Sequence, residues 1–236
     1  MRLVVVVLVA SAACAYSQDG PQPRVVDPGK AGIAPSDAIV LFDGKDLHEW
    51  VHQNGEPAKW TVNDGVIVCN SGTGDIYSKH KFGSAQVHVE FSTPNMPQAK
   101  GQARGNSGVY LQGRYEVQVL DSYRNPTYAN GSCGALYGQY APLVNVCRPP
   151  GEWQTYDIVF HPPKCGADGN VTQPGTLTVL QNGVLVQDHV TIQGITTLGD
   201  KTNICEPGPL RLQDHHHPDV KDTLMRFRNI WYRPLE

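Results

Sequence analysis

Between residues 105 and 122 apolar and polar side chains alternate at period two. Val109, Leu111, Tyr115, Val117 and Val119 fall on one parity, and Tyr110, Glu116 and Gln118 on the other. Such alternation marks strands with one face on a core and the other turned away from it. A three-residue loop at Gln112, Gly113 and Arg114 pairs Leu111 with Tyr115 and carries the parity across the turn. A carboxylate, a carboxamide and a phenol then share the face opposite the core.

The same pattern recurs along the chain. Strands are expected over 39–42, 60–62, 66–69, 75–78, 85–91, 108–111, 115–120, 153–161, 176–180, 184–188, 210–213 and 225–232. Asn63-Asp64-Gly65 and Gln181-Asn182-Gly183 are hairpin turns. Many short strands at close spacing, with no helical periodicity, predict a single all-β domain, a sandwich or barrel. Residues 121–151 form a long irregular loop carrying Tyr123, Arg124, Tyr128, Tyr137 and Tyr140; a loop of that length is usually functional or stapled.

Strand parity also assembles a polar face. Gln86, His88 and Glu90 alternate with Val87, Val89 and Phe91; Arg211 and Gln213 with Leu210 and Leu212; Arg226 and Arg228 with Met225, Phe227 and, farther on, Trp231. Glu, Gln, His, Arg and Tyr dominate these positions, and Lys is almost absent. That mixture suits sugar hydroxyls, which need paired donors and acceptors beside aromatic surface. A merely solvated sheet face is the alternative.

Composition narrows the class. A net charge of -3 over 236 residues gives no electrostatic case for nucleic acid. Arg2, the apolar run 3–10 and Ala13-Cys14-Ala15 form a signal-peptide pattern, too short to span a bilayer, with cleavage expected after Ala15. The expected location is secreted or periplasmic, and lipid anchoring through Cys14 is the alternative. Residues 16–37 read as a flexible leader and 38–236 as the domain. Five cysteines remain after cleavage, with no C-x-x-C pair. Cys133–Cys147 and Cys165–Cys205 could form staples, and Cys69 reads as a buried thiol.

Two further segments carry chemistry. The run Gln213-Asp214-His215-His216-His217-Pro218 invites a possible divalent metal, with Asp214 or Glu90 as carboxylate partner, or a single histidine in acid–base work. Glu116-Val117-Gln118-Val119-Leu120-Asp121 resembles the E-x-D-x-x-E signature of laminarinase-type glucanases, with Gln118 and Asp121 in place of the second and third carboxylates. A bulge after Gln118 would turn Asp121 to the face of Glu116; otherwise Asp121 caps the turn into the long loop.

Together, LFDGKDLHEW, GDIYSKHKFGSAQVHVEF, GNSGVYLQGRYEVQVLDS, EWQTYDIVF, NGVLVQD, GPLRLQDHHHP and RFRNIWYRPL resemble the 3-keto-disaccharide hydrolase family over residues 39–235. The resemblance implies a concanavalin A-like jelly roll of two antiparallel sheets. It implies cleavage of 3-keto-glycosides by proton removal at carbon 2, loss of the aglycone and hydration of the glucal. Strand parity then suggests Glu116 as base and His215 or His88 as acid–base partner. Arg228, Arg226 or Arg211 would stabilise the enolate. Gln118 and Gln213 would hold hydroxyls, Asn106 and Tyr110 would line the mouth, and Asp121 and Glu90 would lie on the same surface. Related domains also serve as carbohydrate-binding modules. The alternatives are therefore a non-catalytic module, or an adhesion or scaffold domain.

Overall fold

The computed structural model describes residues 20, 22–30, 33–202, 204–216 and 224–235; the signal-peptide pattern, Cys14 and His217 lie outside them. Among the described residues the strands are β1 (Ile39–Phe42), β2 (Trp50–Val51), β3 (Thr61–Asn63), β4 (Val66–Val68), β5 (Ile76–Phe82), β6 (Ala85–Ser92), β7 (Asn106–Leu111) and β8 (Tyr115–Leu120). They continue as β9 (Gln154–His161), β10 (Lys164–Cys165), β11 (Val171–Gln173), β12 (Thr176–Gln181), β13 (Val184–Thr191), β14 (Gly208–Leu212) and β15 (Arg226–Pro234). Every segment expected from alternation contains a strand. The three unforeseen strands, β2, β10 and β11, have two or three residues each and are too short for a period to show.

The architecture is a jelly-roll sandwich of antiparallel sheets. One sheet has the order β13-β12-β9-β6-β15-β4-β3, with β1 also on β15; the other has the order β2-β5-β14-β7-β8. Val87, Val89 and Phe91 from the first meet Val109, Leu111, Tyr115, Val117 and Val119 from the second, all fully buried. Burial of that kind stabilises by roughly 1.5–3 kcal/mol per large side chain. β10 and β11 form a separate ribbon, and a disulfide joins Cys165 there to Cys205. Cys133 and Cys147 are free thiols that hydrogen-bond each other, and Cys69 is a buried thiol.

The hairpin of β7 and β8 forms in the expected register, with Leu111 opposite Tyr115, Tyr110 opposite Glu116 and Gly108 opposite Gln118. Its tip needs positive φ at two successive positions, taken by Gln112 (54°) and Gly113 (69°).

Alternation fixes which side chains point away from the core, but not the sheet to which each strand belongs. β6 and β15 pair with each other in the eight-stranded sheet. His88, Glu90, Arg226 and Arg228 therefore face outward on the side of the sandwich opposite Glu116, which corrects the expectation of one shared face. A bulge at Asn229 (φ 45°) also shifts the parity of β15, so Trp231 stacks outward on His88, with ring centroids 5.1 Å apart, instead of joining the core.

On this rear face the His88 ring bonds Asp157 at 2.7 Å, Arg228 Nε donates to Glu90 at 2.6 Å, and Asn229 Nδ2 donates to Glu90 at 2.9 Å. Arg228 also lies 4.0 Å over the Trp153 ring, and Arg226 donates to Ser92 Oγ. Burial pulls the His88 pKa down, but hydrogen bonds to Asp157 and Glu90 outweigh it and lift it to about 9. Burial pushes Glu90 up, yet bonds from His88, Asn229 and Arg228 bring it to about 2. The raised histidine contributes stability that is complete below its ordinary 6.5 and lost as pH rises through about 9. The depressed carboxylate contributes stability present above its ordinary 4.5 and lost as pH falls through about 2. Solvent screens the pair because the Asp157 side chain is 40% exposed. His88→Gln should therefore remove roughly 1–2 kcal/mol at pH 6 and much less at pH 10, as followed by thermal denaturation across that range.

Candidate active site

The five-stranded sheet turns a different set of polar groups away from the core. β7 contributes Asn106 and Tyr110, β8 Glu116 and Gln118, and β14 Arg211, with Gln213 just beyond its end. Gln213 is held to β7 because its N–H donates to the Gly108 carbonyl at 3.0 Å and its own carbonyl accepts from Ser107 Oγ at 2.6 Å. These side chains are buried, with exposures between 0% for Tyr110 and 7% for Arg211. The sequence pattern predicts their shared face; their burial comes from loops laid over it.

Two of those loops bond directly to the hairpin. Residues 134–137 run along the free edge of β8, where Gln118 N–H donates to Ala135, Gly134 N–H to Gln118 and Tyr137 N–H to Glu116. The Tyr-rich loop is thus partly an added strand, and it brings Tyr137 beside Glu116. From the other side, the Glu116 N–H donates to Thr196 Oγ1 at 3.0 Å, Thr196 N–H to Arg114 O and Asp200 N–H to Gly113 O. Between sheet and loops lies a cavity of about 90 Å³ lined by Gln102, Asn106, Tyr110, Glu116, Gln118, Tyr137, Thr197, Leu198, Gln213 and His215. Leu198, 69% exposed and with φ at 67°, and the exposed His215 form its rim.

Glu116 sits at the centre. Its carboxylate lies against Gly108, where an added Cβ would come within 2.6 Å of Oε1 and 2.7 Å of the Tyr110 ring. Only glycine at that position leaves room for both groups. Burial raises the Glu116 pKa; a hydrogen bond from Tyr110 and the charge of Arg211 pull it back, Asp75 adds to the rise, and the result is about 7. Burial, followed by the charge of Glu116, pushes the Tyr110 phenol far above its ordinary value, so Tyr110 is the donor in that bond. Arg211 stays at one remove from the cavity. Its guanidinium holds Asp75 at 2.5 and 2.6 Å, donates to the Leu198 carbonyl at 2.6 Å, and lies 4.1 Å over the Tyr110 ring.

Three acceptors in the cavity have no partner among the described residues: Asn106 Oδ1, Gln118 Oε1 and Gln213 Oε1, each buried. The nitrogen of each amide is occupied. Asn106 Nδ2 donates to the Gln102 carbonyl at 3.0 Å, Gln118 Nε2 to Gln102 Oε1 at 3.1 Å, and Gln213 Nε2 to Tyr110 Oη at 3.2 Å. Buried acceptors left open in this way are expensive unless a ligand or water donates to them. The site is therefore a cluster of acceptors around one carboxyl group poised near neutrality, suited to binding hydroxyl donors and moving a proton.

Other expected members fall elsewhere. Asp121 is buried beside the hairpin, accepts from Arg104 at 3.2 Å and from Tyr123 N–H, and does not line the cavity. It caps the turn into the long loop, because β8 ends at Leu120 without the bulge that would face it toward Glu116. His88, Glu90, Arg226 and Arg228 belong to the rear face. Among the described residues no group of three or more His, Cys, Asp and Glu is gathered that could hold a metal ion. Asp214, considered as a ligand, gives its carboxylate to the N–H groups of Gly72 and Gly74 at 2.7 and 2.9 Å. Gln102, Thr196 and Leu198 give no sign of their role in the sequence, since loop residues carry no period. Tyr137 had only the tyrosine-rich loop to suggest it.

The fold and site together define a jelly-roll sandwich protein with a buried acceptor cluster on one sheet. The model of the 3-keto-alpha-glucoside-1,2-lyase-like domain matches residues 37–233, and the chain belongs to that family. A 3-keto-disaccharide hydrolase of Bacteroides thetaiotaomicron is 27% identical over 159 residues; the match covers 52% of each chain, so about half that relative's length. A crystal structure of a candidate glycosyl hydrolase from Parabacteroides distasonis ATCC 8503 superimposes with a TM-score of 0.83 at 45% identity, covering 93% of this chain and 94% of that one. A second structure from the same organism, at 21% identity and a TM-score of 0.58 over 85% of this chain and 94% of its own, shares the fold.

The Glu116 charge is costly to the folded state. With its pKa raised from 4.5 to about 7, the group contributes stability that is complete below 4.5 and lost as pH rises through about 7. Glu116→Gln should therefore be more stable than the unsubstituted protein at pH 8, by roughly 1–3 kcal/mol, and lose that advantage at pH 4; chemical denaturation at the two pH values checks this. Gly108→Ala should displace the carboxyl group and abolish activity while leaving the sheet folded, as read from circular dichroism beside a turnover assay.

Proposed function

We propose that this protein cleaves the glycosidic bond of 3-keto-glucosides, with Glu116 as general base. A ketone at carbon 3 acidifies the hydrogen on carbon 2. Glu116 takes that proton, and the C–H electron pair forms the enolate. The enolate collapses to expel the aglycone from carbon 1, leaving a 3-keto-2-hydroxy-glucal. Water then adds its oxygen to carbon 1, and a proton returns to carbon 2, completing a net hydrolysis.

The observation that carries this reading is the placement of a carboxyl group with pKa near 7 beside three open carboxamide oxygens. A base of that pKa works efficiently at neutral pH. Asn106, Gln118 and Gln213 receive sugar hydroxyls. Once Glu116 is protonated it no longer needs the Tyr110 hydrogen bond, and Tyr110 can turn its proton to the enolate oxygen. The positive charge of Arg211, 4.1 Å from the Tyr110 ring, favours that donation. This role replaces the one first considered for Arg226 and Arg228. His215, among the residues that line the cavity, protonates the leaving oxygen. Export by the segment 1–15 is part of the proposal, and the Cys165–Cys205 disulfide supports an oxidising compartment.

Incubation with 3-keto-trehalose in deuterium oxide should release 3-ketoglucose carrying deuterium at carbon 2, as read by NMR. Product formed without deuterium there, together with no primary isotope effect on turnover of substrate deuterated at carbon 2 and no glucal intermediate, would overturn the proton-abstraction mechanism. Glu116→Gln should lower kcat/KM by about 10³-fold or more. Because the base must be ionised, kcat/KM of the unsubstituted enzyme should rise with pH through about 7.

A further inference from the structure

Three residues that line the cavity have an amide oxygen left without a partner, and in each the amide nitrogen is held by another group. For two of them that group belongs to Gln102, in the short helical turn Gly101–Ala103 that precedes β7. Its Nε2 donates to the Gly131 carbonyl at 2.9 Å and to Thr127 Oγ1 at 3.0 Å, both in the loop that follows β8. This fixes the amide so that Oε1 is the acceptor turned toward the sheet. Oε1 then receives Gln118 Nε2 at 3.1 Å and Asn106 Nδ2 at 3.4 Å. The Gln102 carbonyl receives Asn106 Nδ2 as well, at 3.0 Å. A carboxamide has one accepting and one donating end, so holding the nitrogen behind leaves the oxygen in front. The orientation passes from the loop through Gln102 to Gln118 and Asn106.

No lysine or arginine is among the described residues that line this cavity. Arg211 lies behind Tyr110 and is committed to Asp75 and Leu198. The inward-facing groups are therefore amide oxygens and a carboxyl group. Such a wall receives hydroxyl donors and repels carboxylates.

We infer that Gln102 is a positioning residue, its side chain locking Gln118 and its backbone carbonyl Asn106 with their oxygens toward the substrate, and that its side chain thereby makes the site selective for neutral sugars over uronates. The inference rests on the reading of the cavity as a sugar site. Gln102→Met keeps the length of the side chain and removes both polar ends, so Gln118 Nε2 keeps only its longer bond to the Gly131 carbonyl at 3.3 Å and is freer to turn inward, while Asn106 keeps its bond to the backbone carbonyl of residue 102. Gln102→Glu keeps an accepting oxygen for Gln118, loses the bond to the Gly131 carbonyl and adds a negative charge to the cavity wall, so it is read through the Gln118 amide signals and not through glucuronide binding.

The test measures dissociation constants of methyl α-glucoside and methyl α-glucuronide by NMR titration, together with side-chain amide spectra of Asn106 and Gln118. The unsubstituted protein should prefer the glucoside. Gln102→Met should weaken glucoside binding roughly 3- to 10-fold, narrow the preference over glucuronide and shift the Gln118 amide signals. Gln102→Glu should leave the Gln118 amide signals closer to those of the unsubstituted protein than Gln102→Met does. If Gln102→Met does not fold, Thr127→Val, which removes one of the two anchors, should give a smaller shift in the same direction.

An unchanged preference with unchanged amide signals overturns the inference, as does equal binding of the two probes, or none, by the unsubstituted protein. Turnover of 3-keto-glucosides, assayed separately, keeps the two readings distinct. A narrowed preference without turnover removes the reaction and leaves Gln102 its role; turnover with an unaltered preference does the reverse.

Discussion

Removal of the Glu116 carboxyl group from water is the constraint on which the front of this molecule depends. In water it would ionise at ordinary acidity. Here β7, β8 and β14 form the floor, and residues 134–137 and 196–200 close over it, so the charged form loses its hydration. Tyr110 and Arg211 recover part of that loss, and Asp75 ties Arg211 in place. Each surrounding feature follows from this. The glycine at 108 makes space, the phenol supplies a proton, and the guanidinium supplies a field without entering the cavity.

The carboxamides around it solve a related problem. A cavity built from charges would bind ions or collapse on itself, and an apolar one would not hold a sugar. Amides whose nitrogens are already bonded present fixed acceptors at no net charge. Their desolvation is costly in the empty protein, and in the proposed sugar site a hydroxyl would relieve it, so part of the binding free energy would be set up in advance by folding.

Much of this was legible from alternation. The hairpin register, the inward set from Val109 to Val119, and the shared face of Tyr110, Glu116 and Gln118 all follow from period two. Asn106, Arg211 and Gln213 follow from the same rule. Alternation stops short where a choice is not periodic. It cannot assign β6 and β15 to the opposite sheet, which is why His88, Glu90, Arg226 and Arg228 stand on the rear face. It cannot foresee the bulge at Asn229 that turns Trp231 outward. Nor does it reach Gln102, Thr196 or Leu198, whose positions are set by hydrogen bonds from loops to the sheet. The Asp121 capping role was visible, but only the strand end at Leu120 chooses it over the alternative.

The rear network of His88, Glu90, Arg228 and Asp157 has a consequence for the front, although the hydrophobic core lies between them. Its grip is fullest in mildly acidic solution, between the ordinary pKa values of its carboxylate and its imidazole. At the front, ionisation of the carboxyl group, which the proposed base role requires, begins only toward neutrality and weakens the fold as it does so. The two faces thus set opposing pH demands. Under the proposed mechanism the protein is most robust where its base is idle, and its working window is the overlap in which the imidazole still holds its proton and Glu116 has already given one up.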